Sequence, residues 1–540
     1  MIAILLCADL ETPGAGIDLA AVATWLEGTI PQARVQVVPD LCGHPGRIAP
    51  SLAQRAPERV VLGLCTRPRA RADLQRAMRR AGLDPLLVET VDLGACAARA
   101  HPRAHATARA RALLAGAAAR ACTAQPTRPE QARPVARVPL SRRALLHLAW
   151  LDYESVPVVA ADRCRAGRGC ALCADACPRA ALRVVDGTVE LDRQTCTACG
   201  LCVTACPSGA VELPGAMPAQ IEAQLAALLE AAGSELGPPV IVFTCRHSPG
   251  DLGTRRGETH PPGWLPVEVP CVAMVPPAWL LGTLALGAAG VVVLPAAAGC
   301  PDGTAAQVAA RVDYCRAVLR RLGEPPERVT ALPAGNRPAR RTGVSAAPGL
   351  AAAAGPRPSE GFLAPGSWAR LFLHLASVSD PTAAWHIAHP HSPFGVVDVG
   401  PGCTLCGSCV RACPTDALTL AHDAAGVAVV FAPALCVGCG RCVSACPEAG
   451  MLRLERVTDL ARLRAGPATL AHSPHRRCAH CGAAFAAEAM VGRIAALLAD
   501  VATADVVTRY CPDCRAVAGG RLSGGGPGVR GGIPLAALEG

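Results

Sequence analysis

Eight cysteines in the later part of the chain fall into two copies of one spacing, Cys403-x2-Cys406-x2-Cys409-x3-Cys413-Pro and Cys436-x2-Cys439-x2-Cys442-x3-Cys446-Pro. An earlier pair of runs, Cys170-x2-Cys173-x3-Cys177-Pro and Cys196-x2-Cys199-x2-Cys202-x3-Cys206-Pro, repeats it. A thiolate at every third residue of a tight loop can occupy three corners of an iron–sulfur cubane, and the Cys before Pro then supplies the fourth corner of the other cluster. That logic assigns Cys403, Cys406, Cys409 and Cys446 to one [4Fe-4S] cluster and Cys436, Cys439, Cys442 and Cys413 to its neighbour. In the earlier module Gly167 stands where a first ligand is expected, and the nearest upstream thiol is Cys164. The sets there read Cys164, Cys170, Cys173 and Cys206, then Cys196, Cys199, Cys202 and Cys177. Zinc favours paired CxxC knuckles over runs of four ending in Pro, and a chain of 540 residues does not need disulfide staples.

Both modules resemble bacterial-type ferredoxins carrying two [4Fe-4S] clusters. The elements around them follow from length and composition. A chain this long should divide into roughly three to five domains. Met1 is followed by a short apolar run without a basic stretch, so no signal peptide is expected, and 29 cysteines in a reducing cytoplasm mean metal. The net charge of +10 rests on arginine alone, since the chain has no lysine. With only 3% aromatic residues there is no basic, aromatic stripe for nucleic acid, although mild positive charge suits acidic redox partners. Val269 to Pro301 carries no charge, yet Pro270, Pro276, Pro277 and Pro295 break it. It reads as a buried helix, Ala278 to Leu286, then a strand, Val291 to Leu294, and not as a membrane span.

Residues 1–125 alternate strand signals (Ile2 to Leu6, Val35 to Val38, Val60 to Leu64, Leu86 to Val91) with helix signals (Leu19 to Leu26, Ser51 to Arg55, Ala72 to Arg80, Ala106 to Ala121), the pattern of a parallel sheet. Cys7, Cys42, Cys65 and Cys96 each follow the carboxyl end of a strand, where open α/β sheets gather ligands, so a fifth [4Fe-4S] cluster is expected there. Scattered core cysteines are the alternative. The segments Leu64-Cys65-Thr66-Arg67-Pro68, Ala81-Gly82-Leu83-Asp84-Pro85 and Gly94-Ala95-Cys96 resemble the amino-terminal domain of the HdrA family of heterodisulfide reductase components, which implies such a cluster. That family continues into a flavin domain; this chain has no G-x-G-x-x-G after a strand, and no flavin is expected.

A linker and helix occupy residues 126–150, where Ser141 to Leu148 matches Ser367 to Leu375 upstream of the second ferredoxin. This suggests a duplicated helix-plus-ferredoxin unit, with His147 and His374 on helix surfaces. Residues 238–335 form a second α/β unit with strands Val240 to Phe243, Val267 to Val269, Val291 to Leu294 and Val329 to Ala331, and a further helix Ala305 to Leu322. Cys245, Cys271 and Cys300 follow strand ends, whereas Cys315 shares an apolar helix face with Val308, Val312 and Leu319. Phe243-Thr244-Cys245, Val269-Pro270-Cys271, Gly287 to Val293, Gly299-Cys300 and Leu322 to Val329 resemble the MvhD family, the iron–sulfur (delta) subunit joining a hydrogenase to heterodisulfide reductase. The resemblance implies a [2Fe-2S] cluster, but Ser248 stands where the family has a further Cys. The fourth ligand is left open between His247 and Cys315, with a scaffold that has lost its cluster as the alternative. His386, His389 and His391 read as a solvated loop, and residues 336–395 as a linker, flexible in composition, and helix.

In the tail, residues 470–520, Cys478-x2-Cys481 and Cys511-x2-Cys514 flank a helical stretch and suit one tetrahedral metal, zinc before iron. Only Cys122, in an Ala-rich helix, is left over. The fold class expected is multidomain α/β plus α+β: two small parallel α/β domains, two ferredoxin-like dicluster modules at 151–215 and 396–456, and a zinc-ribbon-like knuckle. The function expected is electron relay in a complex of the hydrogenase, formate dehydrogenase or heterodisulfide reductase type, because no acid–base pair or P-loop is visible. A reductase using an irregular cluster as its active site, and a redox sensor, are the alternatives.

Overall fold

The first strand, Ile2–Cys7, is a six-residue apolar run buried along its whole length, as a central strand covered on both faces must be. It pairs in parallel with Ala33–Val38 on one side and Arg59–Leu64 on the other, and Glu89–Asp92 adds an outer parallel strand. The computed structural model describes residues 1–11, 16–52, 57–65, 71–98, 101–135, 152–248, 261–295, 303–332, 361–379, 382, 384–499 and 504–516. They group into two compact units, residues 1–167 with 171–393, and residues 168–170 with 394–540.

In the first unit a second four-stranded parallel sheet is built from Trp264–Val269, Val240–Cys245, Gly290–Val293 and Val329–Ala331, in that spatial order. Numbered along the chain, each sheet runs second, first, third, fourth strand. Between the sheets in sequence lies the first ferredoxin, a hairpin of Leu182–Val185 and Thr188–Leu191 with short helices at Leu172–Asp175 and Leu201–Ala205. The helix Arg103–Thr123 holds these parts together. It packs on the first sheet and along the helix Pro218–Ala232, where a Cβ at Gly116 would lie 3.1 Å from both Gln224 O and Leu228 Cβ. Arg109 and Arg120, eleven residues and three turns apart, share one helix face. Arg109, fully buried, donates to the carbonyls of Pro262 and Trp264; Arg120 donates to Gln224 Oε1 (3.0 Å), Glu268 O (2.9 Å) and Gly215 O.

The second unit pairs Val396–Val399 with Leu452–Glu455 and forms a hairpin from Leu418–His422 and Val427–Phe431. The tail strand Ala468–Ser473 extends that hairpin to three strands, so the expected break between ferredoxin and tail is bridged by a sheet.

Several expectations need correction. The fourth strand begins at Glu89, because Pro85 to Val88 turn first. Part of the expected 126–150 linker is strand Ala132–Val135, paired with Asp152–Ser155. Gly361, Phe362 and Leu363 are fastened by their N–H groups to the Glu222 carboxylate (3.0, 2.9 and 3.3 Å). Cys122 is exposed at the end of its helix. His374 is half-buried against Phe362, and the His389 ring packs on Tyr314 at 5.3 Å, so neither is simply solvated. Ser141 to Leu148 with His147, Cys300, and most of the 336–365 linker lie outside the described residues. Among the described residues no helix is long and apolar enough to cross a membrane.

Candidate metal centres

The ferredoxin loops are built by a repeated backbone twist. The second residue after the first Cys is left-handed in three loops, Ala198 (φ 53°), Leu405 (φ 54°) and Gly438 (φ 63°). So is the residue after the second Cys: Gly200 (81°), Gly407 (73°) and Gly440 (76°), each opening a short helix. These two reversals fold the Cys-x2-Cys-x2-Cys run around a common point. The irregular loop keeps the first, at Gly169 (φ 80°), but has Ala171 at φ −133° in place of the second glycine. It departs from the pattern in backbone as well as in lacking a Cys at position 167.

In the second ferredoxin Cys403, Cys406, Cys409 and Cys446 line one cavity with Leu405 and Glu448. These are the four thiols that spacing groups together. Burial pushes the Cys409 thiol up to about 11, and Cys403, Cys406 and Cys446 add to the rise. Burial likewise raises Cys436 to about 11 and Cys442 to about 12, with Cys439 and Cys413 reinforcing both and Cys436 also acting on Cys442. Each set therefore feels its own members. Four thiolates cannot share such a pocket without cationic charge among them, and an iron–sulfur cluster with Cys ligands supplies it.

In the first ferredoxin Cys173, Cys196, Cys199, Cys202 and Cys206 are buried, and Cys164, Cys170 and Cys177 half-buried. Burial, then Cys199, Cys196, Cys173 and Cys177, drives the Cys202 thiol upward. Backbone N–H groups of Ala181, Ala198 and Ala210 point at the sulfurs of Cys177, Cys196 and Cys206, each at 3.3 Å.

At the carboxyl edge of the first sheet the sulfurs of Cys7, Cys42 and Cys65 all lie within 4.8 Å of one another. Cys65 Sγ is 3.1 Å from Cys42 and 3.7 Å from Cys7. The hydrogen bond from Cys42 brings the Cys7 thiol down to about 6, whereas burial raises Cys65. Cys96 lies in the helical turn Gly94–Ala98 that follows the fourth strand of the same sheet.

The middle unit brings fewer thiols together. Cys245 ends its strand with its sulfur 3.4 Å from Ser248 Oγ, whose hydroxyl donates to Leu294 O at 2.6 Å. Cys271 follows the second strand, and burial raises its thiol to about 11, with Cys199 and Cys245 adding to the rise. Cys315 is fully buried and directs its thiol at Pro277 O (3.7 Å), as a core residue would. This unit grips the first ferredoxin: Thr204 Oγ1 donates to Met274 O at 2.8 Å, and Arg246 to Thr197 O. A cavity of about 460 Å³ opens where the three modules of the first unit meet, lined in part by Glu89, Arg120, Glu154, Cys245, Arg246 and Glu268.

In the tail the sulfurs of Cys478, Cys481, Cys511 and Cys514 all lie within 4.8 Å of one another, over a small core of Val506, Tyr510 and Phe485. Burial would raise Cys478, but N–H groups of Cys481, Cys511 and His480 bring it down to about 6.

Sequence reasoning missed the shared strand order of the two sheets and the buried arginines of the long helix. The three-turn spacing of Arg109 and Arg120 in an otherwise Ala-rich helix was the available signal for the second.

Comparison with known families agrees with these sites. Residues 163–210 and 402–450 match the 4Fe-4S dicluster domain, and residues 240–341 match the delta subunit of methyl-viologen-reducing hydrogenase. No curated protein matches the chain. The two dicluster matches contain all sixteen cysteines that spacing groups into the ferredoxin modules. With a hydrogenase delta-subunit-like domain between them, they make this chain an iron–sulfur electron-transfer subunit.

Proposed function

We propose that the chain relays single electrons within an oxidoreductase complex of the hydrogenase, formate dehydrogenase or heterodisulfide reductase type, handing them between protein partners without transforming a substrate itself. The observation that carries this reading is the second ferredoxin, where four thiols chosen by spacing line one cavity. Cys403, Cys406, Cys409 and Cys446 would hold one cubane, and Cys436, Cys439, Cys442 and Cys413 the next. Cys164, Cys170, Cys173 and Cys206, with Cys196, Cys199, Cys202 and Cys177, would hold two more. Cys7, Cys42, Cys65 and Cys96 form the site of a fifth, in a domain like the amino-terminal one of the HdrA family. The middle unit offers Cys245, Cys271 and Cys300 toward a [2Fe-2S] cluster, and the tail a zinc site.

Bound clusters supply one-electron chemistry; the protein sets spacing and potential through burial and N–H···S bonds. The grip of Thr204 and Arg246 on the cluster loops keeps the first ferredoxin beside the middle unit. Anaerobic purification with partner subunits, followed by iron, sulfide, zinc and flavin analysis, tests the reading. About 20 iron atoms per chain fits five cubanes, and fewer than roughly 16 after reconstitution removes one of the assigned sites.

The reading as a reductase draws on one observation, the cavity of about 460 Å³ with Cys245 in its wall. An exogenous ligand bound directly to iron, seen by electron paramagnetic resonance, is the result that would favour it.

A further inference from the structure

The four tail thiols lie outside every matched range, yet the segment that carries them is built into the second ferredoxin. Strand Ala468–Ser473 lies along Val427–Phe431, whereas the equivalent hairpin of the first ferredoxin has two strands only among the described residues. The chain then turns at Pro474 into a second hairpin, His475–Arg477 with Ala484–Ala487, whose tip is the first knuckle. Cys478 N–H donates to Ala483 O at 2.9 Å, and Gly482, at φ 72°, closes the knuckle onto Cys478 O at 3.0 Å. The second knuckle is tied to the first by Ala479 N–H to Arg509 O (2.9 Å) and Cys511 N–H to Cys478 Sγ (3.3 Å).

From this hairpin springs the helix Glu488–Leu497, and its first turn faces the ferredoxin. Ala487 is buried in the same apolar core as Cys409 and Cys413, while Ala489 and Met490 pack against that core beside Cys403 and Cys446. Arg493 pairs with Glu448 at 2.8 Å, and Glu448 itself lines the cavity of Cys403, Cys406, Cys409 and Cys446. The Glu488 and Ala489 N–H groups are anchored to Pro474 O (2.9 Å) and Ser473 Oγ (3.0 Å). The lid over one cluster site is thus positioned by a hairpin whose far end is the tetrathiolate.

We propose that Cys478, Cys481, Cys511 and Cys514 hold a zinc ion that clamps the strand Ala468–Ser473 and the helix Glu488–Leu497 over the cluster site of Cys403, Cys406, Cys409 and Cys446. A tetrahedron of ~2.3 Å zinc–sulfur bonds has sulfur–sulfur edges of about 3.8 Å, and Cys481 and Cys511 stand 3.7 Å apart. Zinc has no redox chemistry, so the tail would shield the relay and carry no electrons. A small knuckle with four core residues needs such an ion to stay folded.

The clamp rests on the reading of the Cys403 set as a cubane site, and the test separates the two. Full-length chain is purified anaerobically as wild type and as Cys481→Ser/Cys514→Ser, the two more exposed thiols, and iron released to a chelator is followed with time. The expected result is loss of zinc and release of about four irons, one cubane, roughly tenfold faster, the remainder leaving at the wild-type rate. Met490→Asp should reproduce the fast phase with zinc retained, which excludes misfolding of the knuckle as the cause. Unchanged release kinetics in the zinc-free variant, or a wild-type chain that binds no zinc, overturns the clamp alone. A wild-type chain without iron overturns the cubane reading and the clamp with it.

Discussion

Replacing Arg120 by Met should loosen the first compact unit at the point where its three modules meet. The guanidinium, 11% exposed, pairs with Glu89 at 3.3 Å, and it donates to Gln224, Glu268 O and Gly215 O, so it touches the first sheet, the first ferredoxin's following helix and the second sheet together. Met keeps most of the volume but leaves Glu89, buried and already pushed upward by burial, without its cation. Removing one partner of a buried pair costs about 3–5 kcal/mol. For a unit of this size the unfolding entropy is about 0.8 kcal/mol/K, so a cost of ~4 kcal/mol lowers the melting temperature by about 5 °C. Scanning calorimetry on the wild type, Arg120→Met and Arg120→Met/Glu89→Leu reads the effect. The double variant should regain more than half of the loss, since the stranded carboxylate is then gone. A single variant within about 1 °C of wild type, or a double variant as unstable as the single, would refute the reasoning that this ion pair joins the modules.

Other perturbations reach the sites more directly. A Cβ at Gly200, which sits at φ 81°, would lie 2.7 Å from Met274 Sδ, so Gly200→Ala should destabilise the ferredoxin against the middle unit by about 1–3 kcal/mol, measured by denaturant titration. In cluster-free chain Cys409, Cys436 and Cys442 are raised from 9.0 to about 11, 11 and 12, mainly by burial. Their contribution to stability is present below pH 9 and is lost as the pH rises through 11 to 12, so circular dichroism should show alkaline unfolding that cluster-loaded chain, with its thiolates on iron, does not share. Ser248→Cys places a thiol beside Cys245 and should add about two iron atoms per chain if the middle site lacks only that ligand; an unchanged iron count on reconstitution would reject this.

The ferredoxin sites were legible because their chemistry is local. Three of the four ligands of each regular cluster set fall within seven residues, and the left-handed turns that gather them need only Gly or a tolerated Ala or Leu. The parallel sheets were legible from apolar runs such as Val240 to Phe243, and their thiols from position alone, since a strand's carboxyl end is fixed once the strand is. What escaped was the long-range part. Nothing in Ala132–Val135, with Pro134 in the middle, announces a strand, because its partner Asp152–Ser155 supplies the reason. The anchoring of Gly361 to Leu363 likewise depends on Glu222, some 140 residues away. The tail's strand in the ferredoxin sheet was invisible for the same reason.

The common strand order of the two sheets extends the duplication beyond the helix-plus-ferredoxin unit. In each, the first strand ends on a cysteine, Cys7 or Cys245, and another follows the second strand, Cys42 or Cys271. The counterpart of Cys65, directly after the third strand, is Leu294, a buried apolar residue. Its carbonyl accepts the hydroxyl of Ser248, so polar atoms in the middle unit hold the loop where the first unit gathers a third thiol. Two α/β-plus-ferredoxin halves have therefore diverged in opposite ways. The first combines three convergent strand-end thiols with an irregular ferredoxin loop, and the second a thinned strand-end site with a regular ferredoxin. In the second half the tail adds a further strand to the ferredoxin sheet, so the regular module is also the one the chain covers. A relay needs its most exposed and its most protected steps at different places, and the two halves supply that asymmetry from one ancestral plan.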